Sequence, residues 1–377
     1  MRGRVERQQT MFVAFDLEQV VPQDHPLRQI KRWADGILMQ MSRDFNRAYG
    51  TTGRPGVPPE QLLKALLLQA LYSIPSETKL VEAIQYNLLY RWFLDLPLEQ
   101  DAWTQEAFGM NRGRFETHDL CRKFFDRVVR EGLQRKLVSA DHFTIDGTLI
   151  RSLASHKSLK PIDQGAGSDD DAGGGAGGGG RDIPVDWRGQ KRSNATHRST
   201  TDPQARLARK GGGKESHLCH TGHITMENRS GLCLAVAVDG FDGHAERRNA
   251  LRMLRHIERR HGMIPRTVGM DAGYQAGAFL MRVEQRGIVP HVPMPVEPAR
   301  GDDVESRARR RAQRRRRTIG YRLSQRKRKR VEQIIGWAKT SAGLARTRFV
   351  GHRRIENSLL MAGAAYNLLR MTRLVAT

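Results

Sequence analysis

Phe143-Thr-Ile-Asp-Gly-Thr-Leu-Ile150 is the stretch around which the second half of the chain can be organised. Its apolar and polar residues alternate, with Phe143, Ile145 and Leu149 on one side and Asp146 on the other. An alternation of period two is typical of a strand that is buried on one face. The pattern therefore predicts a half-buried strand that carries Asp146 on its polar face.

Downstream of this strand, short apolar runs alternate with helical patterns. A hairpin is predicted at 223–227 and 232–238, turned at Asn228-Arg-Ser-Gly231, and is followed by helices at 245–260 and 276–286 and strands at 266–270 and 288–292. Asp271 directly follows the strand at 266–270, in Met270-Asp-Ala-Gly-Tyr274. Strands that alternate with helices after a hairpin predict an α/β fold with a mixed sheet.

The region before this sheet predicts helices instead. Residues 10–136 carry apolar residues at spacings of three and four, with Pro58-Pro59 and Ser76 placed to start helices. We therefore predict a helical N-terminal domain over 1–136, and a second domain over 137–377 that ends in a helix at 355–374. Within it, residues 151–216 are rich in Gly and basic residues and lack apolar periodicity, which predicts a flexible insertion or a loop that DNA orders.

The charge of the chain narrows the classes of partner. Lys and Arg number 64 against 40 acidic residues in a chain of 377, a formal charge of +24. Such an excess favours a polyanion, above all nucleic acid, although a protein that only neutralises the charge of nucleic acid would share it. No window of about 18 apolar residues predicts a membrane span, and no apolar segment predicts a signal peptide. Three scattered cysteines favour a reducing, cytoplasmic compartment.

A dense basic run leads into the third acidic residue of interest. Between positions 307 and 330, 14 of 24 residues are Arg or Lys and none is acidic; the run includes Arg314, Arg315, Arg316 and Arg317, which we predict to contact DNA. On one continuous helix, Arg328, Glu332 and Lys339 would share a face. That face could hold a cation and flanking phosphates, or only surface ion pairs, and the helical wheel leaves both interpretations open.

Asp146, Asp271 and Glu332 together suggest a reaction. Three carboxylates converging beside many arginines suit two hard divalent cations and a nucleic acid backbone, as phosphodiester cleavage requires. Solvated carboxylates at strand ends are the alternative. A zinc site at His217, Cys219 and His223 is not favoured, because no second ligand pair has a suitable spacing.

At these residues the chain resembles the DDE transposases of bacterial insertion sequences, whose glutamate region carries a Tyr-Arg-Glu-Lys signature. Arg328, Glu332 and Lys339 match in type and spacing, whereas Gln325 stands at the Tyr position and Tyr321 lies one helical turn earlier. Further similar segments are Thr144-Ile-Asp-Gly-Thr148, Met270-Asp-Ala-Gly-Tyr274, Thr201-Asp-Pro203, Val21-Pro-Gln-Asp-His-Pro-Leu-Arg28, Gly53-Arg-Pro55, Leu62-Leu-Lys-Ala-Leu-Leu-Leu-Gln69 and Tyr90-Arg-Trp-Phe93.

The resemblance implies an RNase H-like mixed sheet flanked by helices, preceded by an all-helical domain over 1–136 that binds DNA ends. It implies that Asp146, Asp271 and Glu332 bind two Mg²⁺ or Mn²⁺ ions, and that Arg328, Lys339 and Tyr274 contact DNA. Hydrolysis of a strand at an element end would be followed by its transfer to target DNA. The implied partners are double-stranded DNA with terminal inverted repeats, target DNA and a second copy of the chain, in the bacterial cytoplasm with the nucleoid.

Two other functions stay open from the sequence. A catalytically silent DNA-binding protein derived from such an enzyme, acting as a repressor or structural factor, is compatible with Gln325 at the signature Tyr position and with the long insertion. A simple RNase H-type nuclease would share the carboxylates but would not need the N-terminal domain.

Overall fold

The computed structural model describes residues 16–50, 52, 56–162, 192–209, 211, 215–297 and 299–375. Up to residue 134 its regular structure is helical, in α1 (Leu17–Val20), α2 (Pro26–Gln40), α3 (Ser42–Ala48), α4 (Pro59–Leu71), α5 (Glu77–Tyr86), α6 (Leu88–Leu94), α7 (Gln105–Thr117) and α8 (Leu120–Gln134). Two predicted helix starts are confirmed: α4 begins at Pro59, and the Ser76 hydroxyl accepts a hydrogen bond from the backbone N–H of Lys79. Residues 1–15 and Gly53-Arg-Pro55 lie outside the described residues.

The remaining chain alternates between strands and helices. The strands are β1 (His142–Arg151), β2 (Leu159–Pro161), β3 (His197–Ser199), β4 (Arg206–Ala208), β5 (His217–Glu227), β6 (Cys233–Gly240), β7 (Thr267–Gly269) and β8 (Val289–His291). The helices are α9 (Ala245–His261), α10 (Gly277–Glu284), α11 (Val304–Arg315), α12 (Ile319–Arg328), α13 (Val331–Thr340) and α14 (His352–Val375).

β1 lies inside a mixed sheet. It pairs antiparallel with β5 on one side and parallel with β7 on the other. β6 continues the antiparallel half beside β5, β8 continues the parallel half beside β7, and β4 pairs with the first residues of β5. The hairpin β5–β6 and this arrangement confirm the predicted α/β fold with an RNase H-like mixed sheet preceded by a helical region.

The prediction of a flexible insertion over 151–216 is wrong at both of its ends. There β2 pairs with β3, and β4 joins the main sheet. The buried Asp202 carboxylate anchors this region, since its Oδ2 lies 2.7 Å from both the Ser152 hydroxyl and Nε2 of His220. A small apolar cluster that includes Leu159 and Leu218 also packs in this region. Strands of three residues are too short to show an apolar period, so periodicity could not reveal them. The Gly-rich tract at 173–180 lies outside the described residues.

α14 joins the N-terminal helices to the sheet. It packs against α2, α4, α8 and β6, within an apolar core that runs continuously from the first helices to the sheet. Gly363 permits this approach, because a Cβ there would lie 2.9 Å from the Phe125 ring. The Asn367 amide bonds both the N–H and the carbonyl of Cys233, at 2.8 and 2.7 Å. The division at residues 136 and 137 remains a prediction.

The basic run does not form one helix with the residues that follow it. α12 ends at Arg328 and α13 begins at Val331, with turn-like hydrogen bonds from the N–H of Arg330 and Glu332 to residues three positions earlier. The prediction that Arg328 and Glu332 share a face of one continuous helix is therefore wrong, although both side chains reach the same region. None of the described helices is both long and apolar enough to cross a lipid bilayer.

Candidate active site

The register of the parallel strands brings the two aspartates together. Thr144 of β1 is paired with Gly269 of β7, and Asp146 and Asp271 each follow two residues further along. Because parallel strands run in step, the two side chains emerge at the same level of the sheet. Oδ1 of Asp146 accepts a hydrogen bond from the N–H of Gly147 at 2.8 Å, and Oδ1 of Asp271 accepts one from Gly273 at 2.9 Å. A nearby backbone N–H thus orients each carboxylate, within β1 for Asp146 and in the turn after β7 for Asp271.

Glu332 reaches this region from the helical layer. It is an exposed residue in the first turn of α13, a helix anchored on its other side by the buried Val331 and Ile334. α13 packs against β1 and β5. The structure therefore places all three predicted carboxylates in one region.

The pKa of Asp146 reflects the proximity of the other two carboxylates. Burial raises the pKa of Asp146, and the nearby carboxylates of Asp271 and Glu332 raise it further, against the opposing effects of the Gly147 N–H and Arg328. The oxygens of the three carboxylates do not all lie within 4.8 Å of one another. Among the described residues, that spacing is found instead at Asp126, His256 and His261. Like charges repel, so bound cations would be needed to draw the three carboxylates together.

A fourth carboxylate, which the sequence analysis missed, lies beside the first two. Glu246 is half-buried in the first turn of α9. Burial raises its pKa, followed by the charges of Asp271 and Asp146. The sequence gives only a weak signal for Glu246. The helix dipole favours an acidic residue in the first turn of any helix, so its position there does not indicate a functional role.

Tyr274 lies beneath these carboxylates rather than on the surface. Its side chain is only 1% exposed, its ring packs on Phe279 with centroids 5.4 Å apart, and its hydroxyl has no hydrogen-bond partner among the described residues. Burial, followed by the charges of Glu246, Asp271 and Asp146, raises its pKa well above the usual value. The predicted contact between Tyr274 and DNA is therefore corrected: this side chain supports the site from below.

The donor set suits hard divalent cations. The ligands that Asp146, Asp271, Glu332 and Glu246 offer are carboxylate oxygens, the type preferred by Mg²⁺ and Mn²⁺. One imidazole nitrogen, Nδ1 of His223, also lies beside Gly147. The buried Tyr274 hydroxyl adds a donor with no acceptor of its own, as a group that orients carboxylates or their bound water would require. The residues present thus fit the pair of cations that the sequence implied.

The predicted basic contacts divide into two groups. Arg314 and Arg317 are exposed. Arg315 instead pairs with Glu284 at 2.6 Å, and Arg316 donates to the carbonyl of Met294 at 2.5 Å. The latter two therefore also anchor α11 and the turn after it to the body of the protein, and contact with DNA remains a prediction for all four arginines.

The signature region also differs in detail from its prediction. Arg328 donates to Oδ2 of Asp146 at 3.1 Å. Gln325, at the position of the signature Tyr, donates to the carbonyl of His291 at 2.9 Å and so ties α12 to the end of β8. Lys339 is half-buried and close enough to Cys219 to influence its pKa, which places it towards the start of β5.

Two family models match this chain. Residues 15–114 match the family described as Transposase domain (DUF772), and residues 182–368 match the family described as Transposase DDE domain. No curated protein matches significantly. Among solved structures, the Mos1 transposase paired-end complex with left transposon end is similar at 14% identity, covering 87% of this chain and 90% of that chain, with a TM-score of 0.21. Because this score is so low, only the two family matches carry the comparison.

Proposed function

We infer that this chain, which belongs to the DDE transposases of insertion elements, uses Asp146, Asp271 and Glu332 to hold two divalent cations, Mg²⁺ or Mn²⁺, where it cuts DNA. It is an enzyme of DNA transposition. The single observation that carries the residue assignment is the convergence of three carboxylates from β1, the loop after β7 and α13. Asp146 lies outside the matched range 182–368, so its assignment depends on this geometry.

The chain's own residues have distinct tasks in such a reaction. The carboxylates present oxygens at the end of the parallel strands, and the Gly147 and Gly273 N–H groups keep two of them oriented. When bound, the cations would supply Lewis-acid stabilisation of the charge that develops on the phosphate during cleavage. Arg328 lies near enough to hold the phosphate beside the scissile bond.

The basic helices α11 and α12 suit the flanking DNA backbone. Exposed Arg314 and Arg317 extend the positive charge away from the carboxylates, and the chain as a whole carries +24. From the family resemblance we propose that the enzyme recognises terminal inverted repeats, transfers the cut strand to target DNA and acts as a homodimer. We place this activity with the nucleoid in the bacterial cytoplasm.

A strand-cleavage assay tests the assignment. The substrate is double-stranded DNA carrying the element ends, incubated with the full chain and Mg²⁺. Asp146→Asn, Asp271→Asn and Glu332→Gln should each abolish cleavage while leaving the circular dichroism spectrum unchanged. Asp141→Asn is the matched control, because Asp141 is exposed, lies five residues before Asp146 and faces Arg266 instead.

The outcomes separate the remaining alternatives. Full activity of Asp271→Asn would remove that residue from the site. Binding to the element ends that is specific but indifferent to metal and to all three substitutions would support the catalytically silent DNA-binding protein. Cleavage without preference for element ends and without strand transfer would support a simple nuclease.

A further inference from the structure

Glu246 faces the site across a gap that only glycine leaves open. A Cβ on Gly273 would lie 2.7 Å from Oε2 of Glu246 and 3.2 Å from Oδ1 of Asp271, so the two carboxylates meet at this residue. A Cβ on Gly147, next to Asp146, would lie 3.5 Å from Oε1 of Glu246. Glu246 therefore borders both predicted aspartates at once.

This carboxylate is only weakly compensated: the charge of the adjacent Arg247 lowers its pKa, but less than burial and the charges of Asp271 and Asp146 raise it. Within the described part of the chain, no hydrogen bond or ion pair ends on the Glu246 side chain. The adjacent Arg247 is engaged elsewhere, with its guanidinium donating to the carbonyls of Gly273 and Gly243 at 3.1 and 3.0 Å. A half-buried carboxylate next to two others is costly unless a cation compensates for it.

The buried Tyr274 hydroxyl is a second sign that a group is bound here. It lies under the same carboxylates, and without a partner it carries the cost of an unsatisfied buried donor. A carboxylate drawn inward by a cation, or water held by that cation, would supply the missing acceptor.

We propose that Glu246 is a fourth carboxylate of the catalytic cation site, where it binds a hard divalent cation directly or through water. This inference rests on the proposed function. Glu246 would add α9 to the elements that supply ligands, beyond the three carboxylates of the sequence pattern.

Mn²⁺ binding measured by calorimetry on the full chain without DNA tests this role, and needs no catalytic turnover. Glu246→Gln should weaken Mn²⁺ binding by about 10-fold or more. Glu258→Gln should bind as wild type does, because it removes the same charge from the same helix but at a residue paired with Arg286. Wild-type Mn²⁺ affinity in Glu246→Gln, with loss in Asp146→Asn, would overturn this inference alone. A wild-type chain that neither binds Mn²⁺ nor cuts element ends would overturn the proposed function and this inference with it.

A separate cluster lies between α8 and α9, away from the carboxylates. Asp126 of α8 faces His256 and His261 of α9, and the ligand atoms of the three side chains all lie within 4.8 Å of one another. Nε2 of His256 is 2.8 Å from Oδ1 of Asp126, and Nε2 of His261 is 3.9 Å from the same oxygen. The second distance is too long for a hydrogen bond.

Several polar atoms of this cluster lack partners. Oδ2 of Asp126 and both ring nitrogens of His261 are buried without a hydrogen bond among the described residues, and the His261 side chain is 0% exposed. Arg260 lies 3.7 Å from Oδ2 of Asp126 but is largely exposed, so it compensates the carboxylate only weakly. Burial favours a neutral imidazole, which has a lone pair to offer.

The geometry points to a binding site for one transition-metal dication of the zinc class at Asp126, His256 and His261. Two imidazoles and a carboxylate are ligands that Zn²⁺ accepts, with water as a fourth ligand, whereas Mg²⁺ prefers oxygen alone. Such an ion would fasten α9, the helix that carries Glu246, to the N-terminal helix α8.

Zinc titration of the full-length Asp271→Asn protein, competed against a chromogenic chelator, tests this site with the catalytic carboxylates impaired. One Zn²⁺ per chain should bind and raise the thermal midpoint. His261→Gln and the isosteric Asp126→Asn should lose both effects, whereas His118→Gln, on α7's C-terminal cap, should keep them. Failure of the parent to bind Zn²⁺, or unchanged stoichiometry in both ligand variants, would overturn the assignment.

Discussion

Arg328 donates to Oδ2 of Asp146 at 3.1 Å, so the arginine expected to hold phosphate is paired with a carboxylate expected to hold a cation. The two residues lie 182 positions apart in the chain and meet because α12 ends over β1. A cation on Asp146 and a guanidinium on the same oxygen repel each other. Loading the site would therefore release Arg328 towards the DNA backbone.

Arg328→Gln should separate the two tasks of this residue. We expect Mn²⁺ affinity without DNA to stay equal or to rise by about 2- to 10-fold, since a competing cation is lost, while the salt slope of DNA binding falls by about 1. Calorimetry and fluorescence anisotropy measure the two effects. Arg326→Gln, exposed on the far side of the same helix, is the control for cation binding. Weaker Mn²⁺ binding by Arg328→Gln would contradict the competition.

Tyr274→Phe removes the unpartnered hydroxyl and keeps the ring against Phe279. We expect an unchanged fold and a loss of about 10- to 100-fold in cation affinity or cleavage, as for groups that orient metal ligands. Calorimetry and the cleavage assay provide the readouts, with Tyr90→Phe in the N-terminal core as the control. Wild-type behaviour would leave Tyr274 with a packing role only.

The stability of Asp146→Asn should depend on pH in metal-free buffer. Because the folded-state pKa of Asp146 is raised, the protonated form stabilises the fold, and this contribution is lost as pH rises through the folded pKa. Asn resembles the protonated form, so the free energy of unfolding of the variant should exceed that of wild type at pH 7.5 in metal-free buffer. The gain should shrink as pH falls towards the ordinary value of 3.8. Urea denaturation at pH values between 3.8 and 7.5 measures this difference in the free energy of unfolding. A difference that grows as the pH falls would contradict the prediction.

The two groups of arginines near the end of α11 should respond differently to substitution. Arg314→Gln and Arg317→Gln should each lower the salt slope of DNA binding by about 1 with little change in stability. Arg315→Gln should instead lower the thermal midpoint, because it leaves Glu284 with one arginine fewer. Anisotropy titrations over a range of salt concentrations and thermal melts distinguish the two. If Arg315→Gln lost as much DNA affinity as Arg314→Gln and Arg317→Gln, with no change in thermal midpoint, Arg315 would be a DNA contact.

The sequence predicted the elements that have a clear apolar period. β1, the hairpin β5–β6 and the last helix, α14, were all predicted from such patterns, and the order of strands and helices was enough to predict a mixed sheet. The short strands β2 to β4 were missed because each has only three residues, too few to show an apolar period, although Leu159 and Leu207 belong to a small apolar cluster.

The candidate site was predictable only in part. Glu246 could not be distinguished from any acidic residue that starts a helix, and its importance depends on the absence of a side chain at Gly273. The placement of Tyr274 required knowing that the turn after Asp271 folds inward. Such proximity arises from tertiary packing, which no local spacing encodes.

α14 leaves the ribosome after every other element described, yet it supplies the seam between the N-terminal helices and β6 and packs against α13, which carries Glu332. The backbone of α13, and with it the position of Glu332, is therefore fixed only when α14 has packed between the two halves of the fold.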